Sequence, residues 1–92
     1  MKKVSFADEK VELEEACAFL REFTLGRHGF TQRDGVAGIE RVNAQCDRMQ
    51  KLFATGPNAR ETANIVASAR PRVMAAEARL ALLRKTRSST PA

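Results

Sequence analysis

The chain has 92 residues, enough for one domain and no second, and only 5% are aromatic, all of them Phe. A chain this short buries roughly two-thirds of its unfolded surface, which leaves little core from which to carve a catalytic cavity. The net charge is +5, from 16 Lys and Arg against 11 Asp and Glu, and no apolar run approaches a membrane span. A core poor in aromatics must be Leu, Val, Ile, Met and Ala, which suits helices better than strands. The fold class that follows is mainly α: a single domain over residues 1–85 with three or four helices and a tail at 86–92.

Near the start, Lys3-Val4-Ser5-Phe6 and Lys10-Val11-Glu12-Leu13 each alternate polar and apolar residues, the period of a half-buried strand. This favours a short β-hairpin over residues 3–13, with a helix starting near Asp8 as the competing reading. Glu14 and Glu15 then open a helix over about 14–25, well placed against its positive N-terminal dipole. Ala16, Cys17, Leu20 and Phe23 recur at helical spacing, Phe19 widens the stripe, and Gly26 follows as a C-cap. Residues 26–35 hold three glycines with Arg27 and Arg33, and they read as the longest irregular segment.

Asp34 is predicted to cap a second helix over about 35–54, with Gly35 and Gly38 weakening its first turn. Ile39, Val42, Cys46, Met49 and Phe53 then step by three and four. Arg41, Arg48 and Lys51 fall on the opposite side, a basic strip. Asn58 followed by Glu61 marks a third N-terminus. From Ala59 through Thr62, Val66, Ala69, Val73, Ala76 and Leu80 to Leu83 the apolar phase runs unbroken across Pro71. Two separately oriented helices would share no phase, so residues 58–85 read as one kinked helix or two coaxial ones. Ala75, Ala78 and Leu82 lie away from that stripe. Either this helix runs through the centre of the bundle or it offers a docking face rimmed by Arg72 and Arg79.

Charge is distributed unevenly. Residues 1–22 carry six acids and four bases, and residues 23–92 carry five acids and twelve bases. Eleven of the sixteen bases are Arg, whose planar guanidinium matches phosphate and carboxylate bidentately. The candidate partner-binding residues are Arg27, Arg33, Arg41, Arg48, Arg72 and Arg79. Phe30 alone lies near a basic loop, so backbone contact fits better than base stacking. His28 has no neighbouring Ser, Cys or acid in a nucleophile–base arrangement. Cys17 and Cys46 form no Cys-x-x-Cys motif and read as inward-facing packing residues. No metal-ligand spacing, phosphate loop or dinucleotide fingerprint is present, so no cofactor and no small-molecule substrate are expected. The start lacks the apolar core of a signal peptide, and the chain reads as cytosolic.

From MKKVSFADEKVELEEACAFLREF through GRHGFTQRDGVAGIERV to the Arg-rich end, the chain resembles the phage-encoded anti-CRISPR proteins, more narrowly the inhibitors of the type I-F RNA-guided surveillance complex. The likeness covers the whole chain and transfers no site residue. It implies a non-enzymatic inhibitor in the cytoplasm of the infected bacterial host. Its partner would be the CRISPR ribonucleoprotein, gripped at the backbone or large subunit or at guide RNA phosphates, so that target DNA fails to pair. The basic charge excludes DNA mimicry as the mechanism. The alternative is a small basic helical DNA-binding regulator reading bases with Asn43, Gln45, Arg48 and Gln50, although the long 26–35 segment is unlike the short turn of such proteins. A third is a helical-hairpin adaptor.

Overall fold

The computed structural model describes residues 5–88, and side chains as far as Lys85. Three helices account for nearly all of it: α1 (Phe6–Thr24), α2 (Gln32–Leu52) and α3 (Ala59–Ser88), with a short 3-10 turn at Arg27–Gly29. No strand occurs among the described residues, and none of their helices is long and apolar enough to cross a membrane.

The hairpin expected at 3–13 is replaced by helix from Phe6 onward; Lys3 and Val4 lie outside the described residues. The physical reason is the period. Phe6, Leu13 and Leu20 are seven apart, two helical turns, and all three pack in the core or against it, whereas Val11 is left exposed. The alternation in the sequence is two fragments of a helical stripe. At the other end, Gly26 adopts φ 73° and its N–H donates to the Phe23 carbonyl at 3.0 Å, closing α1 as expected.

The connection to α2 is shorter than the 26–35 segment expected. Thr31, not Asp34, is the N-cap: the Asp34 N–H donates to Thr31 Oγ1 at 3.2 Å, and the Thr31 N–H donates back to Asp34 Oδ2 at 2.8 Å. This reciprocal capping box starts α2 three residues early. Gly35 and Gly38 therefore sit inside a helix, and both are buried. A Cβ on Gly35 would lie 2.3 Å from Phe23 Cζ, and one on Gly38 would lie 3.0 Å from Leu20 and Phe19. At these glycines the α1 side chains come close against the α2 backbone, and the absence of a side chain is what permits it.

α3 continues through Pro71 without a break. Its phase is kept because Thr62, Val66, Ala69, Val73, Ala76 and Leu80 all face the core. Thirty residues span about 45 Å, which accounts for most of the molecule's 55 Å long axis. Residues 86–88, expected in the tail, continue the helix; 89–92 lie outside the described residues. α3 does not run through the centre of the bundle: Ala75, Ala78 and Leu82 face outward.

Cross-helix contacts give the topology. Glu9 meets Arg48, Glu12 meets Arg41, and Phe23 faces Gly35, so α1 and α2 are antiparallel. Lys10 meets Glu61 and Gly26 meets Arg79, so α1 and α3 are parallel. The bundle is up-down-up. Its core is filled by Leu13, Ala16, Leu20 and Phe23 from α1, by Val42, Cys46 and Met49 from α2, and by the α3 stripe. Phe6 and Phe53 cover the lower end edge to face, with ring centroids 5.1 Å apart.

Candidate functional site

The two seams that α1 makes are unlike each other. On the α2 side its acids are used up. Arg48 Nε donates to Glu9 Oε1 at 2.7 Å, and Gln45 Nε2 donates to the same oxygen at 2.9 Å. Arg41 lies 3.3 Å from Glu12 and 3.9 Å from Glu15. The Arg48 hydrogen bond, then that of Gln45, holds the Glu9 carboxyl below its ordinary pKa, and the same bond raises that of Arg48. Arg41 and Arg48 are exposed, as expected of the outward basic strip, and in addition reach across the seam to carboxylates.

On the α3 side the helices leave a groove of about 590 Å³. Leu13, Cys17, Ala18, Ile65 and Ala69 supply its floor and walls. Nearer the lower end of the bundle, Lys10 and Glu61 pair across the same two helices at 3.0 Å. Towards the upper end stand Arg21 from α1, Arg72 from α3 and Arg27 from the turn. Arg27 is held by Glu22 at 3.2 Å; Arg21 and Arg72 carry no ion pair among the described residues. Arg79, two turns beyond Arg72, lies over the end of α1, where its Nη2 is 3.0 Å from where a Cβ on Gly26 would sit. Its Nε is shut off from solvent without a hydrogen-bond partner.

Of the six arginines singled out from the sequence, the fold thus places Arg27 and Arg72 at one end of one groove, with Arg79 over the adjoining end of α1. Arg41 and Arg48 belong to the other seam. Arg33 is exposed beside a separate hollow that it shares with Phe30 and Leu83. Arg21 is the groove residue that sequence reasoning missed; its position on α1, one turn after Cys17, was the available signal. His28, which takes a left-handed φ of 63°, has an acidic neighbour: its Nε2 lies 3.6 Å from Glu22 Oε1.

The cysteines divide in the same way. Both are free thiols, Cys46 buried and Cys17 half-buried on the groove wall. Burial pushes both thiols up in pKa, with Arg72 partly opposing it at Cys17. An activated nucleophilic cysteine requires the opposite shift. Among the described residues no three His, Cys, Asp or Glu side chains converge in a way that would hold a metal ion. No protein-family model, curated protein or solved structure matches this chain.

Proposed function

We propose that the protein is a stoichiometric, non-enzymatic inhibitor of a type I-F CRISPR surveillance complex, acting in the cytoplasm of an infected bacterium. It binds the ribonucleoprotein through the arginine end of the α1/α3 groove and blocks target DNA from hybridising with the guide. The target comes from the whole-chain resemblance. The binding reading is carried by one observation: Arg21, Arg27 and Arg72 line one end of one groove, where Arg27 alone is paired, to Glu22, and Arg79 lies over the adjoining end of α1. Guanidinium groups held without carboxylate partners are suited to anionic groups on a second molecule.

The DNA-regulator alternative draws less support. Two of its four base-reading candidates, Gln45 and Arg48, are bonded to Glu9. No specific observation favours it.

The test is binding of the purified protein to a purified type I-F complex, followed by target-DNA hybridisation. One-to-one or other fixed stoichiometry without turnover is expected, equally for complexes loaded with different guides. Replacing Arg72 and Arg79 together by Ser should weaken binding and make its salt dependence shallower, by about one in slope for each arginine that had neutralised an anionic group. The Arg41→Ser, Arg48→Ser protein should bind as the parent does. Failure to bind the complex while binding free duplex DNA would overturn the assignment in favour of the regulator.

A further inference from the structure

The groove has features that an arginine cluster for phosphates does not need. Its floor is aliphatic, from Leu13, Ala18, Ile65 and Ala69, and none of the residues lining it is aromatic. A phosphate backbone has nothing apolar to bury there, and bases would find no ring to stack on. Two flanking helices with an aliphatic floor between them are the setting in which an amphipathic helix docks. The length is suitable as well: residues 13–22 of α1 border the groove and rise about 14 Å, two to three turns of helix.

Charge says which helix. Arg21 stands on the α1 side and Arg72 on the α3 side, both without ion partners among the described residues, while Glu14 on α1 is the acid nearer the lower end. We infer that the α1/α3 groove is the seat of an amphipathic protein helix that lays an aliphatic stripe on Leu13, Ala18, Ile65 and Ala69 and sets carboxylates between Arg21 and Arg72. Acidic residues are most stable at a helix N-terminus, so the partner's N-terminus lies at the arginine end. It therefore runs antiparallel to α1 and α3, as α2 does, and completes a four-helix bundle. This inference rests on the functional reading above and narrows it: what the groove holds is a protein subunit of the target rather than its RNA.

Cys17 on the groove wall supplies a local reporter, and buried Cys46 serves as its internal control. The probe is a synthetic helix of about 18 residues, long enough to be helical, with one Leu/Ala stripe, Glu in its N-terminal turns and Lys in its C-terminal turns. Alkylation of the intact protein by N-ethylmaleimide is followed by mass spectrometry of the two cysteine peptides at mildly alkaline pH. The acidic-start helix should slow Cys17 modification several-fold, less so as salt is raised. A peptide of the same composition with Lys first and Glu last should not slow it, and neither should single-stranded RNA. In the Arg21→Ser, Arg72→Ser protein the protection should disappear. Unchanged Cys17 reactivity with the acidic-start helix, or protection by RNA alone, overturns the inference. Protection by the surveillance complex without protection by the peptide leaves the functional reading standing and removes only the helix. Protection by the peptide without binding to the complex keeps the helix seat and removes the target.

Discussion

The α1/α2 seam and the α1/α3 seam are built from the same helix, yet one is finished and the other is open. Gly35 and Gly38 let α2 press against Phe23, Leu20 and Phe19, and lower down the same seam Arg41 and Arg48 pair with three glutamates. α3 instead faces α1 across an open groove that Ile65, Ser68 and Arg72 help to line, where Arg21 and Arg72 carry no ion pair among the described residues. The meaning of an arginine on a helix surface is therefore set by what faces it. Opposite a carboxylate it is a modest clasp; beside an open aliphatic groove it is available to a second molecule.

The sharpest way to break this contrast is steric. Gly35→Ala gains about 1 kcal/mol in helix propensity, but its Cβ would meet the buried Phe23 ring at 2.3 Å. Overpacking costs about 1–3 kcal/mol, so a net loss of up to about 2 kcal/mol is expected. Ala18→Leu, on the open seam, should stay within about 0.5 kcal/mol because the added atoms enter the groove. Urea denaturation of both variants decides it; equal losses would show the two seams to be packed alike.

A smaller effect is expected from pH. The carboxyl of Glu9 titrates below its ordinary range because Arg48 and Gln45 bond its ionised form. The unfolded chain then binds the proton more readily than the folded one. Its stabilising contribution is present above the unfolded pKa and disappears as pH falls through the depressed native value. Glu9→Gln should flatten that part of the stability–pH curve, measured by urea midpoints from neutral to acidic pH. A curve parallel to the parent's would mean that the clasp is not formed in solution.

The smallest effect separates stability from binding. The Arg41–Glu12 pair is exposed at both ends, so a double-mutant cycle should return about 0.2–1 kcal/mol. Arg72→Ser should leave the urea midpoint where it is and change only partner affinity. An Arg41→Ser protein with reduced affinity but an unchanged midpoint would move the binding surface to the other seam.

How far the sequence leads can be judged residue by residue. The apolar phase of α3 from Thr62 to Leu80 is readable because one helix face must stay buried over its whole length, and Pro71 does not disturb it. The C-cap at Gly26 is readable because a left-handed residue after Leu25 favours glycine. The N-terminal half of α1 misleads, since a window as short as residues 3–13 fits a period of two nearly as well as one of three and a half. Gly35 and Gly38 look like helix breakers because propensity counts only local cost, while Phe23 and Phe19 come against them from another helix.

Helix phases, caps and the excess of arginine thus follow from the sequence alone, because each depends on neighbours within a few turns. Only the tertiary structure decided which arginines are spent. Arg48 finds Glu9 across 39 residues of chain, and Arg41 finds Glu12 across 29. Arg72, of the same residue type on a similar helix surface, comes to rest on the groove it shares with Leu13, Cys17 and Ile65, with no carboxylate paired to it among the described residues. Pairing of charges across helices depends on their packing in space, and the local periodicity of the chain carries no record of it.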